Sequence, residues 1–102
     1  MQNEQKLASL LGLAQKAGKL ASGDFAVERA IKSGKAKLLL IAADASEGTK
    51  KGYRDTALFN NILYYEVLTK AALGNAIGKP QRAALIFLDD GFSMSAKKLL
   101  DM

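Results

Sequence analysis

The chain contains no cysteine and no histidine. The first absence excludes disulfides and thiolate metal sites and fits a reducing compartment. Together the two remove the usual nucleophile–base pairs and leave only carboxylates to hold a metal. No enzymatic activity, metal site or cofactor is therefore expected, and no small-molecule substrate. No run approaches the roughly 20 apolar residues of a membrane span, and Met1-Gln2-Asn3-Glu4 is not a basic segment leading into an apolar one. A cytoplasmic protein without membrane contact is expected. Proline occurs once, at Pro80, and there is no repeat, low-complexity segment or linker. The 102 residues should form a single domain, residues 1–102, around one core. A chain of this size buries roughly two-thirds of its unfolded surface, enough to fold without staples.

What is present points to a polyanion. Fifteen Lys and Arg against ten Asp and Glu leave a formal charge of +5, on a globular composition that is 49% apolar. Each phosphate that a protein neutralises releases counterions, so a cationic excess favours nucleic acid.

Leu7, Leu10, Leu11, Ala14 and Ala17 recur at three- and four-residue steps, which predicts an amphipathic helix stopping at Gly18. An exposed stretch should begin at Lys19. After Ser22-Gly23 a second helix is expected, with Asp24 as N-cap or first-turn acid and Gly34 beyond its end. Residues 38–42 are continuously apolar, as suits a strand covered on both faces. Asp44 and Ser46 offer caps for a third helix that carries Lys50, Lys51 and Arg54 and is weakened by Gly48 and Gly52. Residues 63–67 and 83–88 read as strands, and 69–77 as a helix ended by Gly78. Asp89-Asp90-Gly91 reads as a turn rather than a working carboxylate pair. Residues 95–102 read as a closing helix with Ala96, Leu99 and Leu100 on one side. Helices alternating with buried strands predict the α/β class, as a three-layer α/β/α sandwich with a mixed central sheet.

The second helix carries the most informative pattern. At about 100° per residue, Ala26, Val27, Ala30 and Ile31 fall on one side, and Phe25, Arg29 and Lys32 on the other. An exposed ring beside two cations suits nucleic acid, because the ring stacks on an unpaired base while the cations hold phosphate. Free amide N–H groups at that helix start, preceded by Ser22 and Gly23, add anion affinity. The competing reading makes Phe25 a hydrophobic staple against a neighbouring loop, and Arg29 and Lys32 a solvated face. The loop Gly78-Lys79-Pro80-Gln81-Arg82 joins this site only if folding brings it to the same edge. Lys50, Lys51 and Arg54 read as a solvated face. Gly12 and Gly18 make no dinucleotide fingerprint, since no strand precedes them and the spacing is wrong.

Five strings in order carry a family resemblance: Leu10-Leu11-Gly12-Leu13-Ala14-Gln15-Lys16-Ala17-Gly18-Lys19-Leu20, Ser22-Gly23, Ser33-Gly34-Lys35-Ala36-Lys37-Leu38, Asp44-Ala45-Ser46 and Leu73-Gly74-Asn75-Ala76-Ile77-Gly78-Lys79. Over nearly its whole length the chain resembles the bacterial YlxQ-type branch of the ribosomal L7Ae superfamily. The resemblance implies an α/β/α sandwich, no catalysis, and binding to structured RNA, ribosomal or otherwise. The typical target is the kink-turn, a helix bent sharply beside sheared G·A pairs. It also implies that the RNA is gripped by the strand-to-helix junction at residues 23–29 and by the loop at 78–82. One departure stands out. Phe25 and Ala26 occupy the positions of the Asn-Glu pair that reads guanines, while Arg29 keeps the basic residue of that motif. Lys79, Pro80 and Gln81 replace apolar residues that touch a flipped-out base. Losing two hydrogen-bonding side chains, each worth roughly 1–3 kcal/mol if bidentate, leaves stacking and phosphate contacts as the expected mode of binding.

The expected RNA interface thus comprises Lys19, Gly23, Asp24, Phe25, Arg29, Lys32, Gly78, Lys79 and Arg82, on a chain acting as a monomer. The alternative is a protein-interaction module that docks a ribosomal or translation-factor partner with Phe25 as its anchor.

Overall fold

The computed structural model describes residues 2–101. Five helices and four strands alternate along it: α1 (Gln2–Lys16), β1 (Leu20–Ser22), α2 (Asp24–Lys32), β2 (Leu38–Ile41), α3 (Glu47–Phe59), β3 (Leu63–Glu66), α4 (Lys70–Ala76), β4 (Ala84–Phe87) and α5 (Asp90–Leu100). The strands form one sheet in the order β1-β4-β2-β3. Only the β2–β3 pair is parallel, so the sheet is mixed.

The two apolar runs became the central strands because only a position covered on both faces rewards apolar residues at every step. All four residues of β2 and all four of β4 are buried. Alternation along the strands then divides the side chains between two cores. Leu38, Leu40, Leu85 and Phe87 pack with Leu7, Leu11 and Ala14 of α1, Leu73 of α4 and Ala96 of α5. Leu39, Ile41, Ala84 and Ile86 pack with Val27, Ala30 and Ile31 of α2 and Ala57 of α3. The expected three layers are present, but the expected single core is two cores sharing a sheet.

Three local expectations are corrected. The stretch after Lys19 is not simply exposed: Leu20 is buried, and β1 pairs with β4, Leu20 opposite Phe87 and Ser22 opposite Leu85. Asp44 does not cap α3. Its carboxylate accepts from the Lys70 backbone N–H at the start of α4 (2.8 Å), while Ser46 caps α3 by accepting from Thr49 N–H (3.2 Å). Asp89-Asp90-Gly91 is not a free turn but the start of α5, with Asp89 at the N-cap position, so the closing helix begins five residues before Ser95. Its expected last residue, Met102, lies outside the described residues.

Register also fixes the two ends of the molecule. Ser22 and Ala84 lie at one end of the sheet with Ile41 and Glu66; Leu20 and Phe87 lie at the other with Leu38 and Leu63.

The closing helix is tied to β3 by the Tyr65 hydroxyl, which donates to Asp101 (2.6 Å). Asp101 also accepts from Lys97, and these two bonds hold its carboxyl below the usual carboxylate range. Desolvation, then the bond to Asp101, push the Tyr65 phenol from 10.0 up to about 12. A raised phenol means the fold prefers the neutral form, so this stabilisation is intact below pH 10 and lost as pH climbs through about 12. Tyr65→Phe should therefore show a shallower fall in stability than the parent across that window, read by urea denaturation at a series of pH values. Parallel curves would remove this assignment.

Candidate nucleic-acid interface

Gly23 makes the turn from β1 into α2. Its φ of 88° lies where a side chain is strained, and no side chain caps the helix it opens. The first amides of α2 thus keep their donors available at an end where the helix dipole favours anions. The helical phase places Phe25 as the sequence indicated. Val27, Ala30 and Ile31 face the core, and the Phe25 ring is 76% exposed, which rules out a staple packed under a neighbouring loop.

Asp24 is held differently from its neighbours. Its carboxylate accepts a hydrogen bond from the Tyr53 hydroxyl of α3, which draws it towards that helix. Burial and this carboxylate together push the Tyr53 phenol well above its ordinary value. Arg29 is exposed and in no ion pair among the described residues. Lys32 pairs with Glu28 at 3.1 Å.

The second segment is built against α4. That helix ends through Gly78, at φ 71°, and Lys79 N–H donates back to Gly74 O (2.9 Å). The chain then returns along the helix so closely that a Cβ on Gly74 would sit 2.0 Å from the Pro80 carbonyl oxygen. Arg82 N–H donates to Lys70 O (3.1 Å). The Arg82 side chain finishes the assembly: Nε donates to Ser22 Oγ (3.3 Å), and Nη1 to the carbonyls of Gln81 (3.1 Å) and Pro80 (3.4 Å). Ser22 immediately precedes Gly23. The loop and the α2 start therefore occupy one edge, linked across 60 positions of sequence. Half-buried Arg82 is a clamp first, with Nη2 unbonded among the described residues, whereas Lys79 is exposed and unpaired among them.

Not every expected residue lies at this edge. Lys19 precedes β1, and its carbonyl accepts from Leu88 N–H (2.9 Å) at the far end of the sheet. Lys32 ends α2, about 12 Å along the axis from Asp24 at 1.5 Å per residue. Gly23, Asp24, Phe25 and Arg82 share the edge, with Gly78 and Lys79 in the attached loop and Arg29 one helical turn below Phe25. The third basic group is neutralised: Lys51 pairs with Asp55 (2.7 Å), Arg54 with Glu66 (3.0 Å), and Lys50 with Glu66 (3.7 Å).

Two residues that build the site were missed, Tyr53 and Gly74, and Ser22 was read only as preceding the helix start and not as the partner of Arg82. Of the two missed, only Gly74 left a signal, because a glycine inside a helical pattern usually marks a close approach. Among the described residues, no group of three or more candidate ligands could hold a metal ion, and no helix is long and apolar enough to cross a membrane.

Residues 5–97 match the Ribosomal protein L7Ae/L30e/S12e/Gadd45 family. The chain is 37% identical over 99 residues to the RNA-binding protein YlxQ of Enterococcus faecium, covering 97% of this chain and 95% of that one. It is 39% identical over 92 residues to the RNA-binding protein YlxQ of Bacillus subtilis (strain 168), covering 90% and 92%. A structure of a protein with unknown function from Bacillus halodurans C superposes with a TM-score of 0.89 at 36% identity, over 95% of this chain and 98% of that one. The Giardia lamblia 15.5kD RNA binding protein superposes at 0.80 over 99% and 87%, and at 17% identity it shares the fold.

Proposed function

The chain belongs to the ribosomal protein L7Ae/L30e/S12e/Gadd45 family, and from that premise we propose that it binds structured RNA, as a monomer and without catalysis, through the edge that joins Gly23 to the 78–82 loop. The reading rests on the Arg82–Ser22 hydrogen bond, which seats the two segments side by side next to an outward-facing ring. Arg29, Lys79 and the free side of Arg82 hold phosphates, the uncapped amides of α2 add a fixed positive pole, and Phe25 stacks on an unpaired base. Lys32 and Lys19 contribute only to an RNA long enough to reach along α2 or around the sheet. YlxQ-type relatives bear the name of RNA-binding proteins, which supports the substrate class.

Phe25 and Ala26 offer no hydrogen bond to a base edge, so selectivity for G·A pairs is weak here. A kink-turn RNA and an unrelated hairpin should bind within about tenfold of each other, a gap smaller than bidentate base readout would give. Arg29→Ala and Lys79→Ala should each weaken both RNAs and reduce the slope of log affinity against log salt by about one unit. Titration of both RNAs at several salt concentrations measures this. Variants that keep the parent's affinity and slope would eliminate the proposed phosphate contacts.

A further inference from the structure

Apolar side chains wrap further round α1 than the core requires. Leu7, Leu11 and Ala14 are buried, yet Leu10 is only half-buried and Leu13, three residues on, is 58% exposed. Lys6, Leu10 and Leu13 share one face of α1 at three- and four-residue spacing. Beside that face runs α5, which brings Ser95, Lys98 and Leu99. Between the two helices lies an open groove of about 860 Å³, whose lining includes Leu10, Leu13 and Leu99 together with Lys6 from α1 and Lys98 from α5. Both lysines are exposed and in no ion pair among the described residues, and no acidic side chain lines the groove. None of these residues belongs to the edge assigned to RNA.

Three leucines in the lining, with a lysine from each helix, select the occupant by chemistry. RNA would set phosphates against leucine and find no aromatic ring on which to stack a base. A second copy in a two-fold arrangement would bring its own Lys6 and Lys98 against these, on chains each carrying +5. A helix with an apolar stripe and acidic flanks satisfies both features at once. We propose that the α1–α5 groove docks an acidic amphipathic helix of a partner protein. The 11-residue α5 limits the contact to about three turns of such a helix. This assignment is independent of the RNA reading, since it uses a different face and different residues.

The test uses the ¹⁵N-labelled full chain and two synthetic 14-residue helical peptides, each with leucines at i, i+3, i+4 and i+7, one flanked by Glu and its twin by Lys. The acidic peptide should shift amide resonances of α1 and α5 around Leu13 and Lys98, and the basic twin should not. The Lys6→Glu/Lys98→Glu double variant should weaken acidic-peptide binding about tenfold, the sum of two exposed charge reversals. Leu13→Asn should weaken it as well, and both variants should keep the parent's dispersed spectrum because the altered side chains are exposed. Phe25→Ala should leave the peptide's affinity unchanged. Four results would overturn the proposal: no shifts at millimolar peptide; equal binding of the two peptides; a solution dimer that Leu13→Asn dissociates; or a loss of RNA affinity in the double variant as large as that of Lys79→Ala.

Discussion

Gly74→Ala is expected to damage stability and RNA affinity together. Alanine is the better helix former by about 1 kcal/mol, so an exposed or loosely packed glycine in α4 would gain from the change. Here the added Cβ would lie 2.0 Å from the Pro80 carbonyl oxygen, 2.6 Å from its carbon and 2.9 Å from the Lys79 carbonyl oxygen. These are backbone atoms, so relief requires moving the loop itself. Overpacking of this kind typically costs about 1–3 kcal/mol. The 2.0 Å approach to backbone puts this site at the upper end of that range, so that, set against the helix gain, the net loss is about 2 kcal/mol, or roughly 8–16 °C in Tm for a domain of this size. The displaced loop carries Lys79 outward and pulls Arg82 from Ser22, so affinity should fall and the salt slope should drop by about two units, one for each cation. Gly52→Ala is the matched control. Gly52 is also helical, but a Cβ there meets nothing within 4 Å, and the variant should be as stable as the parent or more so, with RNA binding intact. Thermal melts and salt-dependent titrations of the two variants decide the matter. A Gly74→Ala protein that melts and binds like the parent would mean that the loop's seating on α4 does not shape the interface.

How much of this was readable in advance depended on how far apart the cooperating residues lie in the chain. β2 and β4 were legible because being covered on both faces leaves an unbroken apolar run. The outward face of α2 was legible because helical phase is a local property, and Phe25 points where the spacing put it. β1 was not. It has three residues, of which only Leu20 is buried, too few for any periodicity, and it exists because β4 offers a free edge. Asp44 looked like a cap for the helix just ahead, yet Ala43 N–H bonds to Leu68 O (2.8 Å) and brings α4 closer than α3 to its carboxylate. The site divides in the same way. Gly23, Phe25 and Arg29 follow from one helix, whereas their junction with Arg82 depends on a hydrogen bond between residues 60 positions apart. Lys19 and Lys32 sit near the motif in sequence, but a strand and a helix carry each away from the edge. Here proximity in sequence is not proximity in space.

Phe25→Ala should separate stacking from charge at that edge. The ring is 76% exposed, so its loss leaves the core untouched and Tm within the narrow range of ordinary surface substitutions. A stacked base, by contrast, is worth about 1–3 kcal/mol by alanine substitution, which is roughly 5- to 150-fold in affinity. No cation is removed, so the salt slope should stay at the parent's value, opposite in pattern to Lys79→Ala. Hairpins whose loop bases are unpaired should lose more than a fully paired duplex, because only an unstacked base presents its face to the ring. The absence of tryptophan from the chain allows a direct reading. Phe25→Trp installs a single indole at the proposed contact, preserves a planar ring, and should bind RNA at least as well as the parent while its fluorescence is quenched on saturation. If Phe25→Ala bound RNA as the parent does, or the indole emission ignored saturating RNA, the ring would lie outside the RNA interface. Its exposure would then mark an anchor for a protein.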